Sequence, residues 1–129
     1  MAAKKNQEMT LTERGQKAAA LFLEKRGFEI VEAGPEKAEE FFPVVAKDDD
    51  ELVFCGVTVR DSDSDGLPTV GEEKDRRRLY ESAAAEWLGR HQDAFGDDSL
   101  AIRFDEIAIL VIGENRALLR HHINAFGIG

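Results

Sequence analysis

Leu52-Val53-Phe54-Cys55-Gly56-Val57-Thr58-Val59 is an eight-residue run without a charge. A half-buried strand alternates apolar and polar residues, whereas a continuous apolar one is covered on both sides. The run is therefore expected to be an interior strand of a sheet, and everything else in the chain has to be arranged so as to bury it.

The flanking sequence supplies the means. Thr10-Leu11-Thr12-Glu13 is a capping box, with the Thr10 hydroxyl and the Glu13 carboxylate each taking an opposing backbone N–H. Leu11, Gly15, Ala18 and Phe22 follow at helical spacing, and Gly27 is a C-terminal stop, so a helix is expected over 11–26. Phe28–Glu32 reads as a strand broken by Gly34 and Pro35. Phe41–Ala46 reads as a second strand, and Pro43 inside it predicts an edge position or a bulge. Lys47–Glu51 is a polar turn that joins this strand to the apolar run as a hairpin.

Asp61–Gly71 is a loop, and Thr69–Glu72 offers a second capping box. The helix after it is expected to reach Leu88, with Leu79, Ala83, Ala84, Trp87 and Leu88 on its apolar side and Gly89 ending it. Gln92–Ser99 is a loop, Ala101–Ile112 a long strand, Gly113-Glu114-Asn115 a turn, and 117–123 a last strand. The order αβββαββ predicts an α/β chain: one mixed sheet of about five strands with two main helices packed on it.

A chain of 129 residues, 43% hydrophobic and 33% charged, fits a single globular domain over 11–129 behind a flexible tail of residues 1–10. No apolar run reaches the roughly 18 residues of a membrane span. The single cysteine, Cys55, excludes an internal disulfide and leads to the expectation of a cytoplasmic protein. It lies in the apolar run with no basic neighbour in sequence, so it reads as a core residue, not a nucleophile. Residues 34–75 carry thirteen acids against four bases, which accounts for the whole net charge of −9. Such a segment repels phosphates unless a cation intervenes.

Five pieces of sequence, in order, are similar to the YraN family, small proteins of restriction-endonuclease-like fold related to Holliday-junction resolvases. They are Gly15 and Ala18–Leu23 with Lys25-Arg26-Gly27-Phe28-Glu29-Ile30; Ala46–Phe54; Gly66-Leu67-Pro68 with Lys74, Arg77 and Leu79; Arg103-Phe104-Asp105; and Asn124-Ala125-Phe126. The resemblance covers residues 11–126. It implies a nuclease site in which carboxylates at adjacent strand ends hold a divalent ion, with a Glu-x-Lys in the third strand.

The residues at the matching positions do not carry that chemistry. The Glu-x-Lys falls on Gly56-Val57-Thr58, the Gly-Glu-x-Asp falls on Glu40-Phe41-Phe42-Pro43, and the helix Glu falls on Gln16. Gly, Phe and Pro side chains cannot ligate a metal, and Gln and Thr do so weakly. A slip could bring in Glu39 or Glu40, but the apolar run holds neither carboxylate nor lysine. The expectation is a pseudoenzyme without a cofactor, degenerate at Gln16, Phe41, Pro43, Gly56 and Thr58.

Three further signals have a bland reading beside the sharp one. Asp61, Asp63, Asp65, Gly66 and Glu72 match a calcium loop, D-x-D-x-D-G-x5-E. No helix precedes it and Pro68 interrupts it, so a solvated acidic loop is expected instead. Lys74, Arg76, Arg77 and Arg78 could touch a phosphate backbone, but Glu72, Glu73, Asp75 and Glu81 at helical spacing predict a solvated, self-paired face. His121 and His122 point to opposite faces of one strand, so one is expected to pack inward.

These observations predict a non-catalytic binding or assembly module. Its acidic segment suits a basic protein partner or self-association. Weak nucleic-acid binding, a calcium-binding domain, and a residual enzyme built on Glu39, Glu40 or Asp48–Asp50 are the alternatives.

Overall fold

The computed structural model describes residues 10–33, 42–61, 73–95, 101–113 and 116–125, with the backbone alone at 73–75. The elements are α1 (Leu11–Lys25), β1 (Glu29–Ala33), β2 (Val44–Asp48), β3 (Glu51–Asp61), α2 (Glu73–Arg90), α3 (Gln92–Phe95), β4 (Ala101–Ile112) and β5 (Arg116–His122). The five strands form one sheet in chain order, β1-β2-β3-β4-β5. The β3–β4 pair is parallel and the others antiparallel. This mixed sheet with helices packed on it is the expected α/β arrangement and is consistent with a restriction-endonuclease-like fold.

The capping box starts α1: the Glu13 N–H donates to Thr10 Oγ1 at 3.0 Å and the Thr10 N–H donates to Glu13 Oε1 at 3.1 Å. The helix ends in a Schellman motif, in which the Phe28 N–H donates to the Leu23 carbonyl and the Gly27 N–H to the Glu24 carbonyl, each at 3.0 Å. Gly27 takes φ 98 there, a conformation a side chain resists.

Each of the two long helices packs on one face of the sheet. Ala19 and Leu23 of α1 pack on Val44, Ala46, Val53, Cys55, Ile107 and Ile109. Tyr80, Ala84 and Trp87 of α2 pack on Phe42, Val45, Leu52 and Phe54. Leu52 and Phe54 thus serve one layer and Val53 and Cys55 the other, which is why this strand carries no polar alternation.

Four local expectations need correction. Pro43 lies just ahead of β2, not inside it, and β2 is an interior strand; the missing N–H falls where the ladder has not begun. The bulge is in β1, between Ile30 and Glu32, an edge position where it also discourages further pairing. Leu79 is 57% exposed, because Tyr80, Ala84 and Trp87 form the inward stripe of α2. Finally, α2 continues through Gly89 to Arg90, and the expected loop begins with the short helix α3.

Candidate functional site

The sheet register brings three of the expected positions together. The β2–β3 ladder starts at Val44–Cys55, so Pro43 adjoins Gly56. Gly56 in turn lies beside Glu106 in the parallel pairing with β4, and Thr58 beside Ala108. Alternation puts Gly56, Thr58 and Glu106 on the face covered by α2. Gln16 belongs to α1, on the opposite face, and Phe41 lies outside the described residues.

Gly56 has no side chain because the space is taken. A Cβ built there would lie 3.0 Å from the Glu106 carboxylate Oε2 and would overlap the Tyr80 hydroxyl. Glu106 is 5% exposed. Its Oε2 accepts hydrogen bonds from the Tyr80 hydroxyl and from the Arg76 guanidinium, whose carbon sits 5.3 Å from the centre of the Tyr80 ring. Burial, and then the hydrogen bond and charge of Glu106, push the Tyr80 phenol above its ordinary value. The phenol therefore stays protonated and donates.

The position where the resemblance puts a third-strand carboxylate is thus filled by a carboxylate from the neighbouring strand. A cation reaches it from α2. The sequence reading missed Glu106. Its visible trace is Asp105-Glu106, two successive acids within the otherwise apolar stretch Phe104–Ile112, so each face of the strand buries one charge.

Arg76 accordingly does not belong to a solvated cluster, and that expectation is corrected for this residue. Arg77 pairs with Glu81 at 3.2 Å, i to i+4, as expected, and Arg78 is exposed. The side chain of Lys74 lies outside the described residues, as do Asp63, Asp65 and Glu72 of the calcium-like loop; Asp61 is the exposed last residue of β3.

On the opposite face a second polar cluster forms around Arg103. Its Nε and one terminal nitrogen donate to the two oxygens of Asp105, both at 2.9 Å. Its other terminal nitrogen donates to Asp48 Oδ2 at 2.9 Å and Glu51 Oε1 at 2.6 Å. Asp105 is fully buried and also meets His121 Nε2 at 2.8 Å and the Asn124 N–H at 2.9 Å. Burial alone would raise the Asp105 carboxyl, but hydrogen bonds from His121, Arg103 and the Asn124 backbone outweigh it and hold the group below its ordinary value. Burial alone would lower the Arg103 guanidinium, but the hydrogen bonds it donates to Asp105, Asp48 and Glu51 outweigh this and raise it above an already high value.

The cluster ties the ends of β2 and β3 to β4 through Arg103, and β5 and the segment after it to β4 through Asp105. Asp48, one of the residues considered for a residual site, is paired here with Arg103, and Glu39 and Glu40 lie outside the described residues. His121 packs inward between Phe22 and Phe28, as one of the two histidines was expected to, and His122 is half-buried. Cys55 is fully buried, and desolvation pushes its thiol far up, as suits a core residue. Among the described residues no three His, Cys, Asp or Glu side chains are grouped to hold a metal ion. None of the described helices is long and apolar enough to cross a membrane.

The model of a family described as uncharacterised protein family UPF0102 matches residues 15–109. The chain belongs to this family. The match runs from within α1 into β4 and so contains Gln16, Gly56, Thr58 and Glu106. The chain is similar to the UPF0102 protein of Geobacter sulfurreducens, with 30% identity over 88% of this chain and 85% of that one. It is 34% identical to a UPF0102 protein of Anaeromyxobacter dehalogenans, over 90% of this chain and 83% of the relative. A third UPF0102 relative, from Pelobacter propionicus, is 35% identical over 88% of this chain and 79% of its own.

Proposed function

We propose that this UPF0102 member is a non-catalytic binding module in a nuclease-like scaffold. The observation that carries the reading is the occupancy of the Gly56 slot. Tyr80 and Glu106 fill it, and Arg76 neutralises the carboxylate. A carboxylate that accepts from a phenol and a guanidinium has less capacity left for a cation, and its local charge is already balanced. Thr58 offers a hydroxyl where the resemblance places a lysine, so no amine is supplied there to orient a water.

The test is incubation of the full chain with branched, linear and single-stranded DNA in Mg²⁺ and in Mn²⁺. No cleavage above a mock preparation is expected. Metal-dependent cutting lost in Glu106→Gln would overturn the reading and give Glu106 the part of the missing third-strand carboxylate.

A further inference from the structure

β5 ends the sheet, and among the described residues nothing pairs with its outer edge. Its register with β4 sets Arg120 beside Ala108, Leu118 beside Leu110 and Arg116 beside Ile112. The β3–β4 register extends two of these rows to Thr58 and Arg60. All of these residues share the face of Gly56 and Glu106, since every second residue of a strand points the same way.

Ala108 is buried, but the outer residues of these rows are left open beside the packing stripe of α2. Its buried side chains meet Phe42, Val45, Leu52 and Phe54, and Leu118 and Ile112 remain 52% and 38% exposed. Arg116 and Arg120 are exposed, and among the described residues neither they nor Arg60 form an ion pair. A chain with net charge −9 thus carries a cationic sheet face next to an open strand edge.

We propose that β5 and this face bind an acidic, extended polypeptide segment that joins the sheet as a further strand. The outer N–H and C=O groups of an edge strand supply the main-chain hydrogen bonds of such an addition. Arg116 and Arg120 are four residues apart, about 13 Å at roughly 3.3 Å per residue. Acids at i and i+4 of the incoming strand would face them as opposite-charge cross-strand pairs, with an apolar residue between them over Leu118.

Charge selects this occupant over two others. Pairing β5 with β5 of a second copy would bring Arg116 and Arg120 close to the same cations of the copy, which repels. A nucleic acid has no strand to add, and three arginines neutralise few phosphates against the chain's acidic segment. The inference rests on the binding-module reading and specifies the partner.

The experiment uses the full chain and a labelled synthetic peptide whose every second residue runs Glu, Val, Glu with Thr between, with the peptide carrying Lys, Val, Lys at those positions and a labelled DNA duplex as the other arms. The Glu peptide is expected to bind, more weakly as salt rises, and to slow amide hydrogen exchange across β5. The double variant Arg116→Glu with Arg120→Glu, both on exposed side chains and checked for an unchanged melting curve, should weaken binding by at least about tenfold. Failure of the Glu peptide to bind, equal binding by the Lys peptide, undiminished binding to the double variant, or displacement by the duplex would each overturn the proposal. Any of these leaves the absence of DNA cleavage standing, whereas metal-dependent cleavage would sink the binding-module reading without touching peptide binding.

Discussion

The slot at Gly56 makes a prediction that a mere spacer glycine would not. Gly56→Ala forces its new methyl against the Tyr80 hydroxyl and within 3.0 Å of the Glu106 carboxylate. Overpacking of this kind costs about 1–3 kcal/mol. Removing the hydroxyl in Tyr80→Phe should reduce that cost, so urea denaturation of both single variants and the double one should show coupling; strictly additive midpoints would refute the contact. Arg103 makes a second prediction at this scale. Arg103→Ala leaves Asp105 buried with fewer donors, which costs about 3–5 kcal/mol when a buried pair loses one member. The Asp105 carboxyl lies below its ordinary value in the fold. Its contribution is therefore complete above the unfolded-state pKa of about 3.9 and is lost as pH falls through the lower folded value. In Arg103→Ala desolvation gains on the remaining donors and moves the folded value up towards the unfolded one, so the acid-linked loss should be smaller and complete at higher pH; melting temperatures measured from pH 3 to 7 would show it. Neither cluster was legible as a cluster. A comparison along the chain finds Gly56 empty, but the carboxylate that fills the space belongs to a strand 50 residues further on.

At the scale of elements, the sequence is informative where physics is local and weaker where partners compete. The capping box of α1, the hairpin of β2 and β3 and the limits of β4 follow from neighbouring residues; the cap and β4 are found where expected, and the hairpin forms with a tighter turn, since Lys47, Asp48 and Glu51 pair within the ladder. The inward face of α2 does not follow in that way. Glu73–Arg90 is crowded with charge, so Leu79 and Tyr80 define competing stripes one residue apart. The sheet decides between them, because Tyr80 reaches both Phe42 and Glu106. Leu79→Lys should accordingly change stability by no more than about 0.5 kcal/mol, as for an exposed site. Trp87→Ala should cost about 3–5 kcal/mol, since the indole is 2% exposed, packs on Phe54 and donates to Glu32 at 3.1 Å. Similar denaturation midpoints for the two variants would show that the helix is rotated from this description.

At the scale of the whole molecule, the distribution of charge governs what the chain can attract. A duplex is held by Lys and Arg that neutralise phosphates and release counterions, and the logarithm of affinity falls with the logarithm of salt by about 0.9 for each phosphate neutralised. Among the described residues four arginines already have carboxylate partners: Arg76 with Glu106, Arg77 with Glu81, Arg90 with Glu86, and Arg103 with Asp48, Glu51 and Asp105. Arg60, Arg116 and Arg120 share one face, but that face belongs to a chain whose residues 34–75 hold its entire net charge of −9. At physiological ionic strength charges are screened beyond roughly 8 Å, so what a phosphate feels is the balance of its near neighbours. Three cations beside Asp61 at the end of β3 give a shallow attraction, and a shallow attraction gives a shallow salt slope. Duplex DNA and a four-way junction should therefore bind no more tightly than about 10⁻⁴ M at physiological salt, the weak end of non-specific association. Anisotropy titrations at two salt concentrations measure both the affinity and the slope. Sub-micromolar binding with a steep slope, abolished by Arg60→Ala, Arg116→Ala and Arg120→Ala together, would show that the cationic face outweighs the acidic segment and that its partner is a nucleic acid.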